Sequence, residues 1–103
     1  MITEDERRAI VESGPVYLHD GMRATLGGWA NPDYCCISSA RPGFWGIAWE
    51  RIAEVVARPD RRLTWLDNMF RTSSAWLGCL PAPRSDWQTE EDYQAAVARG
   101  DAR

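Results

Sequence analysis

Between Val16 and Trp49 no stretch of alternating or apolar residues runs far before a chain breaker stops it. The breakers are Asp20-Gly21, Gly27-Gly28, Asn31-Pro32-Asp33 and Arg41-Pro42-Gly43. Between them lie VYLHD, MRATLGGW, YCCISS and FWGIAW, rich in β-branched, aromatic and small apolar residues. Such runs predict strands, too short for a flat sheet and suited to a small bent one. Side chains alternate across a strand. Met22, Ala24 and Leu26 should therefore share a face opposite Arg23 and Thr25. Cys35 and Ile37 should share another, and Trp45, Ile47 and Trp49 a third. Pro42-Gly43 suits a type II turn with Gly43 at positive φ. It would bring Cys35 and Ile37 across from Trp45, Ile47 and Trp49 as a core face, leaving Cys36 and Phe44 on the other. Gly27-Gly28 signals a bulge or sharp bend.

The flanks read as helices. Thr3 and Glu6 have capping-box spacing and predict a helix over residues 4–12, stopped by Ser13-Gly14-Pro15. After Trp49 the period lengthens: Ile52, Ala53, Val55 and Val56 fit a turn or two of helix ending at Arg58-Pro59. Leu63-Thr64-Trp65 would return as a final strand. Met69, Phe70, Ser73, Trp76 and Leu77 recur at helical spacing, with Asp67 as N-cap and Gly78 as stop. Residues 79–83 form an extended connector. Thr89 would cap a last helix from Glu90 to Arg99, and residues 100–103 would fray.

The chain has 103 residues, enough for one domain with one modest core. Five short strands, with one helical turn before the last, describe an α+β domain built on a small SH3-like β-barrel. An N-terminal helix (1–13), the barrel (14–66) and a C-terminal helical extension (67–103) are its parts. An oligonucleotide-binding barrel is the nearest rival and needs more chain between strands.

Residues 14–65 carry Gly21-Met22-Arg23-Ala24 and Trp49-Glu50-Arg51-Ile52-Ala53-Glu54-Val55. In these the chain resembles small accessory proteins of actinobacteria and their bacteriophages, including mycobacteriophages. The resemblance implies an SH3-like barrel and an accessory role, that of a phage protein acting on a bacterial host. It brings no catalytic residue. All basic side chains are arginine, with no lysine, as a high-GC genome would give.

Composition excludes more than it selects. The net charge is -3, which opposes long-range attraction to nucleic acid or anionic membrane. The charged start MITEDERRAI has no signal-peptide h-region, and no apolar run approaches membrane-spanning length. The expectation is a cytoplasmic protein, in the host cytoplasm if phage-encoded, with reduced thiols.

No chemistry assembles from the reactive residues. Cys35, Cys36, Cys79 and His19 lack the paired spacing of a zinc site. Adjacent cysteines on a strand point apart and suit buried or half-buried thiols better. His19-Asp20 and Ser38-Ser39 lack the setting of a nucleophile with its base. Glu50 and Glu54 share a helix face, but Arg51 and Arg58 lie near them, so a solvated salt-paired face is expected. The reading is therefore no enzyme, no metal and no cofactor. Arg58, Arg61 and Arg62 cluster beside Trp65 and could contact a nucleic-acid strand, although an ordinary charged turn explains them too. Six tryptophans are many for this length, and tryptophan and arginine are enriched at interface centres. Trp29 and Trp87 follow no core period. With Phe44 and the three arginines they are the candidate binding residues. The expected function is a non-enzymatic protein-binding accessory factor, its partner a host factor or a second copy. A nucleic-acid-binding barrel and a small thiol enzyme or hydrolase are the alternatives.

Overall fold

The computed structural model describes residues 1–43, 45–70 and 80–103. Phe44, Ser73, Trp76, Leu77, Gly78 and Cys79, and the expected helix and connector start that involve them, lie outside the described residues. Among the described residues the protein is α+β: one antiparallel sheet, in the order β1–β2–β3–β4, with three α-helices. The elements are α1 (Glu4–Glu12), β1 (Val16–Tyr17), β2 (Arg23–Leu26), β3 (Tyr34–Ser38), β4 (Trp45–Ala48), α2 (Trp49–Val56) and α3 (Glu90–Arg99).

The helix ends follow local chemistry. Thr3 and Glu6 form the reciprocal capping box of α1, and Gly14 leaves it at φ 110°. The Thr89 hydroxyl accepts from Asp92 N–H at 3.0 Å, and Gly100 closes α3 in the left-handed region.

The sheet curls because β2 divides its pairing. Ala24 and Arg23 face Val16 and Tyr17 of β1, whereas Thr25 and Leu26 face Ser38 and Ile37 of β3. Each half of the strand serves a different neighbour, and the sheet turns across it. Gly27 extends the ladder, donating to the Cys36 carbonyl at 2.7 Å. A Cβ there would lie 2.9 Å from that oxygen, which explains the glycine as a close backbone approach. The expected alternation is present: Met22, Ala24, Leu26, Cys35, Ile37, Trp45 and Ile47 are buried in one cluster, while Arg23, Thr25 and Cys36 are exposed. Cys35 pairs with Ile47 and Ile37 with Trp45. Gly43 takes φ 115°.

Trp49 does not extend β4. It opens α2 directly after Ala48, because Trp49, Ile52 and Val55 lie at helical spacing and bury together. Its ring still enters the expected core, and its indole N–H donates to the Asn31 carbonyl at 2.7 Å.

Leu63-Thr64-Trp65 does not form a fifth strand. Tyr17 N–H donates to the Arg61 carbonyl at 2.9 Å and Leu63 N–H to the Tyr17 carbonyl at 2.7 Å, a single parallel bridge at Arg62. The chain then makes a 3₁₀ turn over Trp65–Asp67. Beyond it Asn68 bridges Ile47 antiparallel, and Met69 N–H donates to the Gly46 carbonyl at 2.8 Å. The strand is interrupted because the Asp67 carboxylate accepts from Thr64 N–H at 2.7 Å. That bond favours a tight turn over continued pairing. Asp67 thus closes a turn instead of capping a following helix, and Met69 and Phe70 lie in a turn.

The C-terminus is also held where fraying was expected. Ala82 N–H donates to the Asp101 carbonyl at 3.0 Å, and Arg103 N–H to the Ala82 carbonyl at 3.1 Å. Tyr93 adds its hydroxyl to the Arg103 carbonyl at 2.9 Å. Backbone pairing outweighs terminal entropy here.

The β1–β2 turn joins these parts. Asp20 in that turn is ion-paired with buried Arg41 and, at 3.1 Å, with Arg99 of α3. Gln88 N–H donates to the Gly21 carbonyl at 2.8 Å, and Met22 bridges Trp87. Burial alone would raise the Asp20 carboxyl, but the hydrogen bond and charge of Arg41, with Met22 N–H, hold it below its ordinary value. A depressed folded pKa adds stability above the unfolded value, near pH 4, and that stability is lost as pH falls through the folded value. Asp20→Asn is expected to lower stability at pH 7 by about 3 kcal/mol, because Arg41 stays buried without its counter-charge. In thermal melts from pH 7 to pH 2.5 the variant should lose less stability on acidification than the parent. Equal acid sensitivity would contradict this role for Asp20.

Candidate functional site

The turn that replaces the fifth strand exposes three large apolar side chains. Leu66 is 73% exposed, Met69 50% and Trp65 40%. Isolated exposed leucines are ordinary, whereas these three side chains are exposed within five consecutive residues.

The turn is anchored from both sides. Thr64 gives its N–H and, at 3.2 Å, its hydroxyl to Asp67. Asp67 is itself buried and paired with Arg51 of α2 at 3.3 Å. Asn68, fully buried, accepts on its side-chain oxygen from Gly46 N–H at 3.2 Å and Phe70 N–H at 3.0 Å. Phe70 lies edge-on to Tyr34, with ring centroids 5.4 Å apart. A Cβ on Gly46 would come within 2.6 Å of the Phe70 ring, so the small residue admits that packing.

The candidates expected from sequence fall elsewhere. Trp87 is a core residue at 3% exposure, with its N–H on the Ala82 carbonyl at 3.3 Å and Arg99 5.6 Å from its ring. It lacked a core period because an isolated bridge to Met22, not a periodic element, holds it. Trp29 is half-buried. Arg8 lies 5.4 Å over its ring, and its carbonyl accepts from Arg7 at 2.9 Å. Both contacts dock α1 onto the body. Phe44 lies outside the described residues.

The arginine cluster turns inward. Arg61 donates to the Pro15, Val56 and Gly14 carbonyls and to the Ser13 hydroxyl. These bonds hold its own backbone at φ 51°, a left-handed conformation costly for a non-glycine residue. Arg62 bonds Gln88 at 2.7 Å, the His19 carbonyl and Asp92. Arg58 reaches the Arg62 carbonyl at 3.1 Å. The three are brought together, and the bonds they make hold the 58–62 turn to α1, the β1–β2 turn and α3.

An open cleft of about 240 Å³ lies on the outer face of β2 and β3, lined by Arg23, Thr25, Ser38, Ser39, Ala40 and Asp86. Arg23 and Asp86 pair with each other across it at 3.2 Å. Cys35 is buried, and burial pushes its thiol up to about 11, whereas Cys36 is exposed. His19 lies in the β1–β2 turn, and burial lowers its pKa despite Asp20 beside it. Among the described residues no group of histidines, cysteines and carboxylates could hold a metal ion. Among them also, no helix is long and apolar enough to cross a membrane.

No family model, curated protein or solved structure matches this chain.

Sequence reading missed Leu66 and gave Trp65 and Met69 to other elements. The available signal was Thr64-x-x-Asp67, a side-chain-to-backbone spacing that stops a strand and leaves the intervening side chains outside.

Two outcomes test this geometry. Asp67→Ala removes the carboxylate shared by Thr64 and Arg51 and should cost about 1–2 kcal/mol, with a changed Trp65 emission. Unchanged melting and emission would contradict the anchored turn. In a Cys79→Ser background at pH 8, a thiol reagent should label Cys36 promptly and Cys35 only on unfolding. Equal labelling rates would contradict the β3 register.

Proposed function

We propose that this domain is a non-enzymatic protein-binding module whose contact face is the turn carrying Trp65, Leu66 and Met69. The observation that carries the proposal is the exposure of these side chains on a turn fixed by Asp67 and Asn68. Tryptophan and methionine are enriched at interface centres, and a pre-ordered turn loses little entropy on docking. In this reading the curled sheet is a small SH3-like barrel whose last strand has been converted into a display turn. The resemblance of residues 14–65 adds the narrower proposal that the domain is phage-encoded and acts on an actinobacterial host protein in the host cytoplasm.

The rival readings have less support. Arg58, Arg61 and Arg62, the basis for nucleic-acid binding, direct their guanidinium groups to internal acceptors. The thiol-enzyme reading has Cys35 buried with a raised pKa.

A photo-crosslinking amino acid at position 66, with one at Thr25 as control, tests the proposal in an actinobacterial lysate. The expected result is a discrete protein crosslinked from position 66 and not from position 25, its yield lost on Met69→Asp. The purified captured protein should then bind the parent, with affinity falling at least about tenfold in Leu66→Asp. That variant should leave stability within about 0.5 kcal/mol of the parent, because Leu66 is a surface residue. Equal crosslinking from both positions, or undiminished binding by Leu66→Asp, would refute the assigned face.

A further inference from the structure

Among the described residues, the α2 surface beside the contact turn is acidic, and it constrains what can dock there. The outward side of α2 carries Glu50, Arg51 and Glu54, all exposed. Arg51 is drawn between two carboxylates, Asp67 at 3.3 Å and Glu54 at 3.2 Å. That pairing sets Glu54 within one side chain of the turn. Glu50 lies one helical turn before Glu54 on the same side and is likewise exposed. Among the described residues, the exposed carboxylates of Glu50 and Glu54 thus stand beside one guanidinium, Arg51, which the buried Asp67 already engages, along the α2 border of Trp65, Leu66 and Met69.

From this border we infer that the partner docks a basic amphipathic segment, with an apolar side on the turn and lysine or arginine side chains facing Glu50 and Glu54. The inference rests on the reading of residues 65–69 as the contact face. An acidic partner would meet like charge, which steers association away and costs affinity. A second copy of this chain bringing the same face would also bring the same acidic border, so self-association through this face is disfavoured. The chain's net charge of -3 acts in the same direction at longer range.

The remaining features carry less. In the cleft between Arg23 and Asp86 the two charges satisfy each other. Buried Arg41 has two guanidinium nitrogens, Nε and Nη1, without partners among the described residues, but its guanidinium is already paired with Asp20. Cys36 is a lone exposed thiol.

Two synthetic helical peptides of identical length and leucine pattern test the inference, one with lysine and one with glutamate on its polar side. Peptide anisotropy is titrated with the full chain at low and high salt. The lysine peptide should bind at least about tenfold more tightly than the glutamate peptide, and salt should weaken it. Glu50→Lys with Glu54→Lys should reverse the preference, and Leu66→Asp should abolish binding of either peptide. If both peptides bind alike, or the double reversal leaves the preference unchanged, the basic partner is refuted while loss in Leu66→Asp keeps the contact face. Lysine-peptide binding that survives Leu66→Asp overturns both. Binding of neither peptide overturns the basic partner.

Discussion

A four-stranded sheet has two outer edges, each a row of backbone donors and acceptors that must find partners. Here both edges are met by one continuous stretch, residues 61–69. Its start takes the free side of β1 at Tyr17, and its end takes the free side of β4 at Ile47 and Gly46. The stretch bridges the two outer strands and so ties the curled sheet together. A regular strand would do this with a continuous ladder. This stretch does it with two short contacts, and the chain between them makes the 3₁₀ turn Trp65–Asp67. The exposed turn at Trp65, Leu66 and Met69 is a consequence of that arrangement.

Arginine does most of the fastening around this seam. Arg61 ties the end of α2 to the chain leaving α1, Arg62 joins the β1–β2 turn to α3, and Arg51 holds the seam turn to α2. Arg41 and Arg99 meet at Asp20. A guanidinium offers several donors in a fixed plane and reaches backbone carbonyls and carboxylates together. A lysine at position 61 could not reproduce the set of acceptors that Arg61 spans. The same chemistry weakens the nucleic-acid reading, because guanidinium groups bound to internal acceptors are less available to phosphate.

Much of the fold was legible in the sequence where local chemistry decides it. The capping residues Thr3 and Thr89, the alternation of Met22, Ala24 and Leu26, and the opposite facing of Cys35 and Cys36 all follow from spacing. The misreadings share a cause. Trp49, the 63–65 stretch, Trp87 and the last residues are each placed by contacts to residues distant in the chain. Trp87 looked like a surface aromatic because SDWQTE is polar, yet its partner is Met22. The arginines of 58–62 looked like a patch because sequence shows charge and not acceptors. The candidate site was the least legible part, since its exposure arises from an interrupted strand.

Amide hydrogen exchange across residues 61–70 tests the seam most directly. The account predicts slow exchange at Leu63 and Met69, whose N–H groups are bonded to the Tyr17 and Gly46 carbonyls, and fast exchange at Leu66 between them. Continuous protection from Leu63 through Leu66, as a fifth strand would give, or no protection at Leu63 and Met69, would contradict it.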